Sequence, residues 1–432
     1  MRTLFKKIIA LLLRVEARLV IKKYKPKIIA VTGSVGKTST KDAIYEVVAA
    51  NAHVRKSEKS FNSEIGLPLT VLGRPNAWGN PIGWIENIFD GLVLILAGSR
   101  YPDWLILEAG ADRPGDISSL ASWLPLDVAV ITRLPDVPVH VEFFDSPEAV
   151  RQEKASIINA LKPGGALVLY ADDANLAMLR ERGSKAQITT FGFSEAADVR
   201  AQKVEILSNE QTGKLVGMRT QIQMDGEGGL LEVNGAIGAH ALLPVLAAVA
   251  VGRALGTPCV EALLALKHYD PPRGRMRLIE GEKNTCIIDD TYNSSPAAVE
   301  AALNTFVLLS SRRKIAVLGD MLELGRHSVD EHRKAGALAA QSADLLVTVG
   351  FRARDIAQGA LDYGMPESTI LQFESAEAAG KEIENLIKEG DVVLVKGSQS
   401  MRMERIVEEI MQDPAHAKDM LVRQDEEWKK KA

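Results

Sequence analysis

The sequence predicts an α/β protein in which two mostly parallel sheets follow one another along the chain, the first carrying a small antiparallel addition. Three observations predict it. Short apolar runs ("KIIAVTG", "WLILEAG", "DVAVIT", "GALVLY", "TCIIDD", "KIAVLGD", "DLLVTVG", "DVVLVKGS") alternate with longer helical patterns, as strands buried on both faces of a parallel sheet do. Several of these runs end in Gly, Asp or Glu, at the strand ends where such sheets bind ligands. One segment, "VEILSNEQTGKLVGMRTQIQMDGEGGLLEV", instead alternates polar with apolar around glycine turns, the pattern of antiparallel strands.

At 432 residues the chain exceeds one ordinary core and calls for two or three domains. "HYDPPRGRM", with Pro271 and Pro272, interrupts a helical stretch and sets a boundary. The predicted division is residues 1–26 as a basic amphipathic helix, 27–270 as a central domain and 271–432 as a C-terminal domain. Hydrophobic content of 46% with 25% charged residues is ordinary for a globular protein. A net charge of −4 with no basic stripe interleaved with aromatics argues against nucleic acid as a partner. Cys259 and Cys286 are the two cysteines; with no C-x-x-C or catalytic signature, they read as buried apolar residues in a reducing compartment.

The first residues, "MRTLFKKIIALLLRVEARLVIKKYKPK", are apolar and basic at once. The uncharged run from Ile8 to Leu13 is too short to span a bilayer, and no small-residue cleavage site follows. Leu4, Ile8, Leu11, Leu12, Val15 and Leu19 recur at helical spacing, with Lys6, Lys7, Arg14, Arg18, Lys22 and Lys23 around them. Two readings stand: a helix packed on the next domain, or one lying on an anionic membrane face. "RPNAWGNPIGWIENIFDGLVLILAGSRYPDW" raises the same pair of readings, a helix covering the sheet or one joined to the basic helix in a membrane-facing surface.

In "AVTGSVGKTSTKDAI" an apolar strand runs into Gly33, Gly36, Lys37 and Thr38 and then into a helix pattern. Backbone N–H groups at such a helix start wrap phosphate oxygens; Lys37 would meet the β/γ-phosphates and Thr38 a Mg2+ ion. The spacing is the short G-x-x-G-K-T form, since Val31 stands where the longer form has its first glycine. No G-x-G-x-x-G opens a helix, which disfavours a dinucleotide. Mg2+ needs further hard oxygens; Glu108, ending "WLILEAG", is placed to supply one or to cap a helix. "VPVHVEFFDSPEAVRQEKASII" adds His140, Glu142 and Lys154; taken singly, His140 reads as a loop histidine and Lys154 as a solvated helix lysine.

Taken in order, these stretches resemble the ATP-dependent Mur ligases of peptidoglycan synthesis. The resemblance runs from about Lys27 to Ile410 and rests on "TGSVGKTSTK", "FNSEIGLPLTVL", "LEAGADRPGDISSL", "HVEFFDSPEAVRQEKASII", "GRMRLIEGEKNTCIIDDTYNSSP", "VLGDMLELGRHS" and "DVVLVKGSQSMRMERIV". The Asp-Asp-x-Tyr-Asn, Gly-Asp-Met-x-Glu-Leu-Gly and Lys-Gly-Ser-x-x-Met-Arg-Met-Glu runs are distinctive of the members that add D-alanyl-D-alanine.

The resemblance implies a P-loop ATPase central domain and a Rossmann-like C-terminal one. It implies ATP on Gly33, Ser34, Val35, Gly36, Lys37, Thr38 and Ser39, reached by Arg275, Asp290 and Asn293, and two Mg2+ ions held by Thr38, Glu108, His140 and a Lys154 carboxylated by CO2. Lys37, Glu108, His140 and Lys154 form the implied catalytic set, and Asn62, Glu323, Lys396, Ser398 and Arg402 the substrate set. The implied reaction joins a muramoyl-tripeptide carboxylate to D-alanyl-D-alanine through an acyl phosphate. A cytoplasmic monomer is expected, with residues 1–24 as the segment that a peripheral membrane contact would use.

Three departures from the family pattern are visible. One basic helix precedes the loop where such members carry a domain gripping the uridine-diphosphate sugar. Ala241 and Pro244 stand in "GAHALLPVLAA" where two asparagines near the adenine are usual. "TRLPDVPVH" is two residues longer than usual and has Arg133 for Asn. The first leaves open that the sugar nucleotide is held otherwise or that the ligase takes a different, lipid-linked acceptor; a non-catalytic nucleotide-binding module is a separate alternative.

Overall fold

The apolar run Lys27–Thr32 becomes the central strand of the first sheet because water reaches neither of its faces: Ile28, Ile29, Ala30 and Val31 are fully buried. The computed structural model describes residues 2–58, 62–78, 80–309 and 313–429; Phe61, within one of the family-like stretches, lies outside them. Helix α1 (Arg2–Tyr24) leads into this strand, β1, and α2 (Lys37–Ala49) leaves it. There follow β2 (Val54–Lys56), α3 (Gly66–Leu72), α4 (Pro81–Leu96), β3 (Trp104–Glu108), α5 (Asp116–Ala121), β4 (Leu126–Ile131), α6 (Pro147–Ala155), β5 (Leu161–Tyr170), α7 (Leu176–Arg182) and β6 (Gln187–Gly192). The sheet closes with β7 (Val199–Ser208), β8 (Leu215–Met224) and β9 (Glu227–Asn234).

The strand order is β2-β3-β1-β4-β5-β6-β7-β8-β9. Pairing is parallel from β2 to β7 and antiparallel from β7 to β9, so the alternating segment forms the antiparallel addition. Register sets the site: Val31 faces Glu108 on one side and Val130 on the other, so the turn after β1 and the Glu108 carboxylate share one edge.

Helices α8 (Ala239–Ala254) and α9 (Cys259–Leu266) precede the second sheet. Its elements are β10 (Arg277–Glu280), β11 (Cys286–Asp290), α10 (Pro296–Val307), β12 (Lys314–Gly319), α11 (Ser328–Ser342), β13 (Leu345–Val349), α12 (Arg354–Asp362), β14 (Ile370–Phe373), α13 (Ala376–Leu386), β15 (Val392–Lys396) and α14 (Glu404–Ile410), with short α15 (Ala417–Met420) and α16 (Glu426–Lys429) at the end. The order is β10-β11-β15-β12-β13-β14, parallel except at β10. Asp290 and Lys396 are register partners at the ends of β11 and β15. One buried apolar cluster runs from α2 and α8 to α10 and the facing side of the second sheet, so the two sheets meet over a shared core. Cys259 and Cys286 are both buried within it.

Strands β2, β6, β10 and β14 were not legible as apolar runs. β2, β10 and β14 are three or four residues long and only partly buried, and β6 is "QITTFG", so none carries a continuous apolar signal. The basic helix corrects the sequence reading more sharply. Ile9, Ala10, Leu13, Ala17, Val20 and Ile21 form the buried apolar side of α1, packed on α3 and α4, whereas Ile8, Leu11, Leu12, Val15 and Leu19 are 43–52% exposed. The stripe legible in the sequence is the outward one; the side chain of Leu4 lies outside the described residues. α4 packs chiefly on α1, and Lys23 Nζ donates to the carbonyls of Leu94, Ile95 and Ala97 at its C-terminus, where a cation complements the helix dipole.

Candidate active site between the two sheets

The turn after β1 is shaped by two glycines. Gly33 has φ +136°, and a Cβ there would lie 1.9 Å from Thr132 Oγ1; Gly36 has φ +84° and starts α2 from the left-handed region, which L residues avoid. Thr132 Oγ1 donates to Val35 O at 2.7 Å, and Ser34 N donates to Arg133 O at 3.0 Å, so the end of β4 holds the loop in place. The start of α2 is thereby left with backbone N–H groups directed into the space beside the loop, a ready anion site.

Thr38 is the junction between the domains. Its hydroxyl donates to Glu108 Oε2 at 2.8 Å and accepts from Arg275 Nη2 at 3.0 Å. Arg275 comes from the second domain and lies over the ring of Tyr292 at 4.2 Å, which fixes its guanidinium plane. Beneath the loop, Lys37 Nζ and Lys154 Nζ each donate to Gly33 O at 3.1 Å. Lys154 is 1% exposed. Burial first and the neighbouring Lys37 second hold it well below the usual lysine range, with Asp112 opposing. Lys37 is also lowered, chiefly by loss of water, with Glu108 pulling the other way.

The second domain supplies the facing wall. Lys396 Nζ lies 2.6 Å from Asp290 Oδ2 and donates to Asn293 O at 3.0 Å. Ser398 Oγ accepts from Leu322 N at 2.9 Å, and Ser398 N donates to Asp320 O at 3.0 Å. His140 reaches across with φ +71°, an uncommon left-handed backbone. Its Nδ1 lies 2.6 Å from Glu323 Oε2 and its Nε2 3.5 Å from Asp112 Oδ1. The hydrogen bond from His140 holds Glu323 below the usual carboxylate range.

A cavity of about 610 Å3 opens between these walls. Ser34 to Ser39, Asn62, Glu108, His140, Arg275, Asp290, Asn293, Glu323, Lys396 and Ser398 all line it. Three sequence-predicted residues do not. Gly33 lies at the loop's first corner, and Lys154 is buried against its carbonyl. Arg402 is corrected from a cavity group to a buried brace: it donates to Glu404 Oε1 at 2.6 Å and to Trp428 O at 2.9 Å, and Glu404 is paired in turn with Arg423 at 2.7 Å. Charged groups so deep are committed to one another. Sequence reasoning missed Asp112, Tyr292, Leu322 and Trp428 as lining residues. The first three stand inside stretches already noted, "EAGADRPGD", "DDTYNSSP" and "GDMLELG"; Trp428, in the C-terminal segment, had no signal.

Ala241 and Pro244 are buried in α8 and are not among the cavity residues. Arg133, whose backbone pins the loop, turns its side chain away from the cavity: Nη2 meets Glu300 Oε2 at 3.3 Å and Nη1 donates to Ala297 O at 3.4 Å, both on α10. Among the described residues no group of three or more His, Cys, Asp or Glu side chains could hold a metal by itself.

A glycine-cornered anion loop on one parallel sheet, closed by an arginine and a lysine from a second, defines a two-domain nucleotide-dependent enzyme. Residues 31–80 and 91–252 match the Mur ligase middle domain, and residues 274–399 match the Mur ligase glutamate ligase domain. The chain belongs to the Mur ligase family. It is 31% identical to the UDP-N-acetylmuramoyl-tripeptide--D-alanyl-D-alanine ligase of Bacillus subtilis (strain 168) over 390 residues, 90% of this chain and 76% of the relative. Its fold is similar to that of MurF from Acinetobacter baumannii (TM-score 0.76, 25% identity, covering 92% of this chain and 79% of the other). The MurF ligase from Thermotoga maritima in complex with ADP is similar too (TM-score 0.75, 26% identity, covering 93% and 83%).

Proposed function

We propose that this chain is an ATP-dependent peptide ligase that joins D-alanyl-D-alanine to the terminal carboxylate of a muramoyl-tripeptide. The observation that carries the reading is the meeting of Lys37, Thr38 and Glu108 of one domain with Arg275, Asp290 and Lys396 of the other around one cavity. The N–H groups at the start of α2, with Lys37 and Arg275, take the β- and γ-phosphates. Asn293 and Asp290 face the same nucleotide.

The acceptor carboxylate attacks the γ-phosphorus, ADP leaves, and the acyl phosphate that forms is attacked at carbon by the dipeptide amine, which expels phosphate. Asn62 receives the acceptor side and Glu323, Lys396 and Ser398 the dipeptide. Arg402 acts by holding Trp428 against the cavity. A site assembled from two domains excludes water, which would otherwise hydrolyse the acyl phosphate.

The donors suit Mg2+, because the Thr38 hydroxyl and Glu108 carboxylate are adjacent hard oxygens. Thr38, Glu108, His140 and a carboxylated Lys154 are the residues that would hold two such ions. Bound there, Mg2+ would supply neutralisation of the phosphate charge. Carboxylation would turn the buried Lys154 amine, which as an ammonium would repel a neighbouring Mg2+, into an anion that attracts it. The enzyme works in the cytoplasm as a monomer, with a peripheral membrane contact through residues 1–24.

The test is incubation with ATP, Mg2+, bicarbonate and UDP-muramoyl-tripeptide, with and without D-alanyl-D-alanine, following phosphate and product mass. Dipeptide-dependent phosphate together with a product heavier by the dipeptide less water is expected. Phosphate release without that product overturns the reading.

A further inference from the structure

Roughly half of the large hydrophobic side chains exposed among the described residues lie on α1, α4 and the turn into α4. α4 is apolar on both its inward and its outward stripe, with Glu86 and Asp90 between them. Trp84, Asn87 and Gly91 face inward, while Ile82, Ile85, Phe89 and Leu96, on the opposite stripe, are 64–83% exposed. A surface helix ordinarily turns a polar face outward, whereas the outward stripe of α4 is apolar. With 16 residues it is about 24 Å long, and no described helix is long and apolar enough to cross a membrane.

The two outer stripes join. On α1, Glu16 and Lys23 mark the edge turned to α4: a Cβ on Gly91 would lie 2.2 Å from Glu16 Oε2, and Lys23 binds the end of α4. Ile8, Leu12, Val15 and Leu19, spaced i, i+4, i+7, i+11, form the next stripe outward. Lys7, Arg14, Arg18 and Lys22 recur on the stripe beyond it. Glu16 is the one acidic residue of α1 and is buried. On α4, Asp90 is paired with Arg74 at 2.5 Å, and Glu86 is exposed. The result is an apolar plate two helices wide, edged along α1 by cations.

We infer that α1 and α4 together form a docking plate for an anionic lipid bilayer, their outer stripes entering the headgroup layer and the α1 cations meeting lipid phosphates. The inference rests on the membrane contact proposed for residues 1–24 and extends it to α4. A helix lying in the interface buries an apolar face shallowly and adds electrostatic attraction to anionic lipid; this face offers both terms.

The full chain is sedimented with vesicles of phosphatidylcholine alone or mixed with phosphatidylglycerol, at low and high salt. Binding at least tenfold stronger to the mixed vesicles, weakened by salt, is expected. Ile85→Glu/Phe89→Glu and Arg18→Glu/Lys22→Glu are each expected to lose at least tenfold, with circular dichroism and soluble ligase turnover unchanged. If Ile85→Glu/Phe89→Glu binds like wild type while Leu12→Glu/Leu19→Glu does not, the plate is overturned and the α1 contact stands. Absence of binding by the wild type overturns both. A dimer in sedimentation velocity that the α4 variant dissociates, with no vesicle binding, also overturns the inference and assigns the face to a second copy.

Discussion

Lys37 and Lys154 donate to the same carbonyl, that of Gly33, each from 3.1 Å. One neutral oxygen between two amines does not balance two charges, and Lys154, in the dry position behind the loop, is the one that loses its proton more readily. A neutral buried amine is the form that CO2 can carboxylate. Lys154→Ala is expected to lower ligase turnover at least about 100-fold, with partial recovery on adding a short carboxylate such as acetate. Turnover equal to wild type would remove the carboxylated lysine from the reaction.

The Asp290–Lys396 pair is the second test. Both side chains are buried, at 10% and 2% exposure, and 2.6 Å apart. Lys396→Ala strands the Asp290 carboxylate, which costs about 3–5 kcal/mol for a buried pair. The urea midpoint is expected to fall accordingly, and Asp290→Asn/Lys396→Met to recover most of that loss while remaining inactive. A midpoint unchanged in Lys396→Ala would mean that water reaches Asp290.

Glu16 gives a pH dependence. Burial alone pushes its carboxyl up to about 7, so the folded chain holds a proton that the unfolded chain releases near the ordinary glutamate value. Its contribution is complete below about pH 4.5 and declines as pH rises to about 7, at up to about 1.4 kcal/mol per unit. Glu16→Gln is expected to raise Tm at pH 8, to change it little at pH 5 and to flatten the profile between them. Gly91→Ala is expected to lower Tm at both pH values, because the new Cβ meets Glu16.

Arg133 ties the phosphate loop to α10. The pair with Glu300 is about a third to a half exposed, so it contributes less than about 1 kcal/mol. Arg133→Ala is expected to raise KM for ATP by about fivefold or less and to leave kcat within about twofold. The exchange Arg133→Glu/Glu300→Arg is expected to restore it. Loss of kcat in Arg133→Ala would place the side chain at the phosphates instead.

Much of this molecule is determined by the sequence alone. Eight apolar runs became strands because each is long enough to fill the interior of a sheet, and the Gly33–Thr38 turn is a local motif whose glycines and lysine act within a few residues of one another. Glu108 and Asp290 were legible because each ends such a strand, and parallel register brings strand ends to one edge.

What only the tertiary structure decided are relations between elements far apart in the chain. Helical periodicity shows that α1 has apolar stripes, not which stripe meets α3 and α4; the inward one was hidden among alanines and the outward one was conspicuous. His140 faces Glu323 because the two sheets close over a common core, and Arg402 is held by Glu404 and Trp428 because the C-terminal segment folds back beside it. Spacing along a chain specifies neighbours on one helix or strand, whereas side-chain partners across a closed cleft are specified by the packing that closes it.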